Sequence, residues 1–255
     1  MIQSQVCRVR EGQALPCLVR VEDVNSNDHY AGSVILKTTR NTYVLTQSRP
    51  NQLDTGFQVH FSDDSVVDAE RLAFDEQFAV LSVGMEHEQC TEIMLEDPAN
   101  PSDALIFLPS NPNDMNMVSK IQGFKCFIPL TSWPASNDVS PGHVIQDSDV
   151  HFLTTCFEGD TKMMKAVPIF TKDGSSTEAF GVIIGDCSSG TGIDGAPQKI
   201  CLKGSSVEER LRRMLNTHNW RGKLSTMGIK KKEKKDKAMR DGWCCWTATP
   251  PICAF

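Results

Sequence analysis

Ten cysteines and six histidines are the residues of this 255-residue chain best suited to nucleophilic or metal chemistry. No two cysteines form a C-x-x-C pair, and no group of cysteines and histidines has the spacing of a zinc site. The sequence therefore predicts no structural metal and no cofactor. Because the first eight residues lack the charged and then apolar order of a secretory signal, we expect reduced, mostly buried thiols in an intracellular, cytoplasmic or nuclear protein.

The segment from Ala31 to Val83 carries the pattern with the clearest implication for chemistry. Residues 31–36 read A-G-S-V-I-L, and residues 43–50 read Y-V-L-T-Q-S-R-P after a polar turn. These stretches resemble the G-S-G-V-I-L and Y-V-L-T-N-A-H-V stretches of trypsin-like serine proteases, particularly of the HtrA type. In that family the final histidine is the general base, and Arg49 holds its position here. An arginine stays protonated and cannot accept a proton from a nucleophile. The alternative is an unrelated β-hairpin.

The resemblance places the orienting carboxylate just before the next buried strand, in a D-x-A-x-L-x-V pattern. Alignment on residues 79–81 puts Gln77 at that position. Asp75 and Glu76 are close in sequence, so a slip of one or two residues would restore an acid. Without a histidine to orient, we expect such an acid to pair with Arg49.

The nucleophile of the family lies in G-D-S-G-G-P, and no serine occupies the matching position. Alignment on residues 168–170 puts Lys165 at the serine, with Ala166 and Val167 at the two glycines. Alignment on residues 159–160 makes Thr161 the nucleophile instead, with four extra residues before Ala166. Because glycine favours the backbone of an oxyanion hole, the bulky residues 163–165 also argue against one.

One alternative nucleophile remains, Cys187 in the stretch G-D-C-S-S-G, which resembles the G-x-C-G-G of viral chymotrypsin-like cysteine proteases. It follows the predicted strand 180–184, where those folds form walls of the substrate pocket. No histidine lies at the base position, although His29 or His60 could come near it in space. The glycine-rich residues 188–195 do not match a phosphate-binding loop, so we predict a flexible surface loop there.

The elements that would position these residues are short apolar strands separated by turns, which favour a barrel or sandwich over βαβ units. We predict an all-β protein with two six-stranded antiparallel barrels, a C-terminal helix and a basic disordered tail. Its units are a first barrel (1–100), a linker (101–120), a second barrel with the helix (121–219) and the tail (220–255). The predicted strands span 15–21, 33–37, 43–46, 56–61, 65–73, 78–83, 104–108, 121–129, 143–146, 151–156, 166–171 and 179–184.

The one predicted helix runs from Ser206 to His218. Ser206 and Glu209 fit a capping box, and Val207 and Leu211 fall on an apolar face with residues 214, 215 and 218. A helix after two barrels is also what the trypsin-like resemblance implies.

Charge is unevenly distributed along the chain. The net charge is −6, but residues 221–255 hold nine basic and three acidic residues, so the rest carries −12. An acidic body of this kind is not expected to bind nucleic acid. The tail contains a lysine run that could make weak contact with an anionic membrane, formed by Lys230, Lys231, Lys232, Lys234, Lys235 and Lys237.

Together these patterns predict a pseudoprotease that binds a peptide or protein partner in the cleft between two barrels. The alternative is an active intracellular endopeptidase that uses Cys187 or Thr161. That alternative requires a nucleophile within hydrogen-bonding reach of a histidine.

Overall fold

A computed structural model describes residues 17–26, 28–48, 56–84, 90–96, 105–109, 118–122, 125–129, 139–156, 165–171, 178–191 and 197–227. The described chain is mostly β-structure, with fifteen strands and two short helices. The strands are β1 (Leu18–Asp23), β2 (Asp28–Lys37), β3 (Thr42–Gln47), β4 (Phe57–His60), β5 (Val66–Phe74), β6 (Phe78–Val83), β7 (Met94–Leu95), β8 (Leu105–Pro109), β9 (Val118–Gln122), β10 (Lys125–Pro129), β11 (Val139–Asp147), β12 (His151–Cys156), β13 (Pro168–Thr171), β14 (Glu178–Thr191) and β15 (Pro197–Lys203).

The first six strands form a closed barrel in the order β1-β2-β3-β6-β5-β4, and each pairs antiparallel with its neighbours. The predicted six-stranded first barrel is therefore confirmed. Alternation in β4 buries Phe57 and Val59 and leaves Gln58 and His60 partly exposed, as expected of a half-buried strand. Strand β6 has the predicted bounds and is buried almost throughout, because it lies between β3 and β5 in the barrel wall.

The second half of the chain builds a seven-stranded sheet in the order β13-β10-β11-β12-β15-β14-β7, and β13 also pairs with β14. Strand β7 joins it in parallel, pairing Met94 with Glu178 and Leu95 with Ala179. Residues 90–93, which we call the strap, lead into β7. The strap is attached to the barrel by Ile93, whose N–H donates to the carbonyl of Val34 on β2 (2.8 Å). Strands β8 and β9 form a separate hairpin.

Two predictions about the second half are wrong, and one strand was missed. The strand predicted over 121–129 is two strands, because β9 ends at Gln122 and β10 begins at Lys125. The stretch predicted as a surface loop at 188–195 is strand as far as Thr191. Strand β15 was not predicted, since its alternation is broken by Lys199 and its stability comes from pairing with β12 and β14 on either side.

Two helices follow the sheet, α1 (Gly204–Met214) and α2 (residues 220–227). The predicted C-terminal helix exists, but it begins at Gly204 rather than Ser206 and ends at Met214 rather than His218. Lys203 is the N-cap and makes no side-chain capping bond, so the Ser206 capping box is wrong. The apolar face is confirmed for Val207 and Leu211, which are fully buried, but not for His218, which lies beyond the helix and is exposed. Asn216, with φ of 48°, turns the chain away after α1.

Helix α2 lies where the sequence predicts tail, and it is part of the packed structure. Its Trp220 and Leu224 are buried in an apolar cluster with Tyr43 and Phe78 of the barrel, Phe170 and Leu202 of the sheet, and Leu211 of α1. This cluster therefore joins both halves of the chain and both helices. No helix within the described ranges is long and apolar enough to cross a membrane.

Candidate functional site

The predicted orienting position lies at the end of the barrel where β3 and β6 meet. The carbonyl of Gln77 accepts a hydrogen bond from the backbone N–H of Ser48 (2.9 Å), the residue before Arg49 in sequence. The side-chain atoms Oε1 of Gln77 and Oγ of Ser48 are both buried, and neither has a hydrogen-bond partner among the residues that the structure describes. An amide, not a carboxylate, thus stands at the orienting position, so position 77 holds no negative charge that could stabilise an imidazolium.

The neighbouring acid, Asp75, is engaged in local structure. Its Oδ1 accepts hydrogen bonds from the backbone N–H groups of Gln77 and Phe78, both at 2.8 Å. Its Oδ2 accepts one from the guanidinium of Arg210 on α1 at 3.1 Å. This contact with Arg210 ties the β5–β6 turn to the helix, whereas the expected partner Arg49 lies outside the described residues.

We expect Asp75→Ala to lower the free energy of unfolding by about 1–2 kcal/mol, because two backbone donors and one guanidinium lose their acceptor. Asp75→Asn keeps an oxygen that can accept from the two N–H groups, so it should cost about half as much or less. Urea denaturation measures both changes. As a control, Arg213→Ala removes a side chain that is 70% exposed and pairs with Glu209. Equal costs for the alanine and asparagine variants would contradict the assigned role of Oδ1.

The loop at the predicted nucleophile position packs against the outer face of β2. Lys165 is partly exposed, and the next residue, Ala166, is fully buried with φ of 65°. The carbonyl of Ala166 accepts a hydrogen bond from the buried hydroxyl of Ser33 (3.1 Å), and its N–H donates to Ile183 (2.8 Å). Backbone in this left-handed region favours glycine, the residue that the protease pattern has here.

The segment 165–169 and the outer face of β2 form one apolar contact, which we call the junction. Ala31 is buried there against Val167 and Ile169. Thr46 links the junction to the end of β3, since its hydroxyl donates to the carbonyl of Ala31 (2.7 Å). The Lys165 and Gln77 positions thus lie at two ends of a continuous set of contacts across β2 and β3.

The remaining predicted site residues are placed only in part. Arg49 and Thr161 lie outside the described residues, as does the lysine run at 230–237. Cys187 is in strand β14, not in a loop after it, because the strand continues to Thr191. His29 and His60 lie together on the barrel, beside Glu22 and Arg20.

Three described cysteines, Cys17, Cys90 and Cys201, are buried thiols and not disulfides, as expected of a reduced protein. Burial raises the pKa of the Cys17 thiol to about 12. Burial also raises the pKa of Cys90, with Lys37 opposing the effect. Both thiols stay protonated at neutral pH, so neither is an activated nucleophile. Among the described side chains, no group of three or more histidines, cysteines and acids could hold a metal ion.

A cavity of about 640 Å³ lies apart from these positions, between the end of β2 and the strap that leads into β7. Lys37, Cys90 and Glu92 are among the residues that line it, and none of the predicted site residues does. Lys37 connects β2 to the strap along one wall of the cavity. Its ammonium donates a hydrogen bond to the carbonyl of Cys90 (3.3 Å), and its backbone N–H donates one to the carboxylate of Glu92 (2.9 Å).

Sequence reasoning missed two residues that organise this region, Ser33 and Arg210. Ser33 is within the motif that carries the resemblance, but nothing in its spacing indicates a contact 133 residues away. Arg210 is a charged residue on a surface helix, a position usually exposed to solvent.

No protein-family model matches this chain, and no curated protein matches it.

Proposed function

We propose that this chain is a catalytically degenerate member of the trypsin-like, HtrA-type protease family that binds a peptide or protein partner in the cleft between its two barrels, beside the junction, without cleaving it. The observation that carries the proposal is the state of positions 75–77. Gln77 is neutral, Asp75 is committed to two backbone N–H groups and Arg210, and Glu76 is exposed. None of the three can serve as the buried carboxylate that orients a catalytic histidine.

Two further observations support the family assignment. The left-handed backbone of Ala166 falls where the protease pattern has its first glycine. Strand β13 pairs with both β10 and β14, so hydrogen bonding in the second sheet returns on itself, as a second barrel requires. We propose that this sheet is the second six-stranded barrel, with β7 added at its side.

The alternative function, an endopeptidase using Cys187 or Thr161, needs a histidine with one ring nitrogen available. His60 does not offer one, because its Nε2 lies 2.9 Å from Glu22 and its Nδ1 lies 3.2 Å from Arg20. An imidazole held between an acid and a guanidinium has no lone pair directed at a nucleophile. This pairing argues against His60 as the base for Cys187 or Thr161.

We expect the full-length protein to remain unlabelled by a fluorophosphonate probe and by a peptide chloromethyl ketone, with active trypsin as the positive control. Labelling that Cys187→Ser or Thr161→Ala abolishes would establish the endopeptidase and refute the pseudoprotease. If the wild type is not labelled, Cys187→Ser should also remain unlabelled by both probes.

Binding is tested by selecting peptides from a displayed library on the immobilised protein. Selected peptides should lose about tenfold in affinity, or 1.4 kcal/mol, when Lys165→Glu reverses the charge beside the junction. Arg213→Glu, on the outer side of α1, is the matched control and should leave binding unchanged. Peptides that bind both variants equally would place the binding site elsewhere.

A further inference from the structure

Four ionisable side chains, which we call the Glu22 cluster, meet on the outer face of β1, β2 and β4: Arg20, Glu22, His29 and His60. Oε2 of Glu22 lies 2.9 Å from Nε2 of His60, 3.8 Å from Nδ1 of His29 and 3.9 Å from the Arg20 guanidinium. The four side chains are between 13% and 33% exposed. One half-buried carboxylate thus faces two imidazoles and a guanidinium.

The cluster adjoins the junction. In the pairing of β1 with β2, Glu22 lies opposite His29 and Arg20 lies opposite Ala31. Ala31 is the β2 residue buried against Val167 and Ile169, and Ser33 follows it on the same face. Because alternate residues of a strand share a face, His29 continues the row of side chains that makes the contact.

The net charge of the cluster depends on the protonation state of His60. When His60 is neutral, it adds no charge to the pair of Arg20 and Glu22; when it is protonated, its charge and that of Arg20 face the same carboxylate. The other charged groups described on these strands, and on β5, which pairs with β4, are Asp23 on β1, Asp28 and Lys37 on β2, and Asp68, Glu70 and Arg71 on β5. Asp68 accepts a hydrogen bond from Gln58 (3.1 Å), and Lys165 lies across the junction. The charge that His60 gains on protonation is placed beside Arg20, whose guanidinium lies 3.2 Å from Nδ1 of His60.

We infer that protonation of the Glu22 cluster loosens the junction, so that β2 and the segment 165–169 are held together less tightly at mildly acidic pH than at neutral pH. The added cations repel one another in a half-buried site, and the repulsion is relieved when β2 gains access to water. This pH response depends only on the Glu22 cluster and the junction, so it does not rest on the proposed membership of a protease family.

The direction of the effect follows from His60. Burial, and then the positive charge of Arg20, lower the pKa of His60 from its ordinary 6.5, while Glu22 opposes this in part. Because the folded form releases this proton more readily than the unfolded form, the stabilisation is present above about pH 6.5 and is lost as the pH falls through the folded value.

Thermal unfolding of the full chain between about pH 7.5 and about pH 5.5 tests the inference. The melting temperature of the wild type should fall by roughly 2–4 °C more than that of the variant His29→Gln/His60→Gln. Hydrogen exchange, corrected for the intrinsic rate, should speed up at acidic pH in β2 and in 165–169, and should not do so in the double variant. His151→Gln, an exposed histidine on β12, is the control and should behave as the wild type.

Two outcomes would overturn the inference: a double variant with the pH dependence of the wild type, or faster exchange at acidic pH in other strands but not at the junction. If the double variant does not fold, Glu22→Gln provides the second test. It removes the one anion, so loosening of the junction should begin at a higher pH, and an unchanged midpoint would equally refute the proton-sensitive junction.

Discussion

Trp220→Ala is expected to lower the free energy of unfolding by about 3–5 kcal/mol, the usual cost of removing a buried tryptophan. Trp220 is 2% exposed and lies in the apolar cluster that the barrel, the sheet and α1 share. Its indole N–H donates to Glu208 of α1 at 2.6 Å, so the variant also leaves a partly buried carboxylate with one donor fewer. Urea denaturation followed by circular dichroism measures the change.

The cost should be large because Trp220 anchors a helix that touches the barrel at several points. The hydroxyl of Tyr43 donates to the carbonyl of Leu224 (2.6 Å), and Arg221 donates to the carbonyl of Ile35 (3.1 Å). Arg221 also lies over the Trp220 ring, 4.5 Å from its centroid. Without the indole, these contacts lose the apolar surface that holds the helix in place.

Met227→Ala is the matched control on the same helix. Met227 is 38% exposed, so its loss should change the free energy of unfolding by no more than about 0.5 kcal/mol. If Trp220→Ala also costs less than about 1 kcal/mol, α2 is not part of the folded core, and the boundary at residue 220 predicted from the sequence would stand.

That boundary shows where sequence reasoning fails in this protein. Residues 220–227 precede a lysine run, and composition alone assigns both stretches to the same tail. What makes 220–227 a helix is burial of two residues, Trp220 and Leu224, in a cluster that includes Tyr43 and Phe78, more than 100 residues earlier in the chain. A helix of eight residues has little stability of its own, so its packing decides its existence.

The barrel was predictable for the opposite reason. Its strands are neighbours in sequence, and turns separate apolar runs whose alternation repeats in Phe57–His60 and elsewhere. Strand β15 lacks such a signal, because buried Lys199 occupies a core position and is compensated by Asp186 on β14 at 2.5 Å. A charged residue in the interior is invisible to hydrophobic patterning unless its partner is known.

At the candidate positions the residue types can be read from the sequence, but their contacts cannot. The amide at Gln77 and the lysine at Lys165 can be read from the sequence once the motif is aligned. The commitment of Asp75 to Arg210, 135 residues later, cannot, because many acids and bases could pair on charge alone. For the same reason nothing in the sequence brings Glu22 and His60 together.

The second large effect is expected at Gly181 of β14, where alanine should lower the free energy of unfolding by about 2–3 kcal/mol. A Cβ there would lie 2.5 Å from the backbone carbonyl of Leu202 and 2.6 Å from the ring of Phe152. The carbonyl belongs to β15, and the ring is packed against Phe180 with centroids 5.0 Å apart. The carbonyl cannot move away without parting β14 from β15, and the ring of Phe152 is packed among buried neighbours, so overpacking must distort the sheet.

Gly185→Ala is the control in the same strand, because a Cβ at Gly185 would meet no atom within 4 Å. It should change the free energy of unfolding by about 0.5 kcal/mol or less. Both variants lose a glycine from a strand, so the gain in β-propensity is shared and the difference between them isolates the collision. Urea denaturation of the pair provides the measurement, and equal stabilities would show that β14 does not approach β15 at Gly181.

The Gly181 variant also bears on binding beside the junction. Phe152 and Phe180 belong to the same apolar cluster as Ala31, Val167 and Ile169, so strain at Gly181 reaches the residues that pack β2 against the sheet. A peptide bound in the cleft beside the junction should lose affinity for Gly181→Ala and keep its affinity for Gly185→Ala. If both variants bind selected peptides like the wild type while Gly181→Ala is destabilised, the peptide contacts a surface that does not depend on this packing.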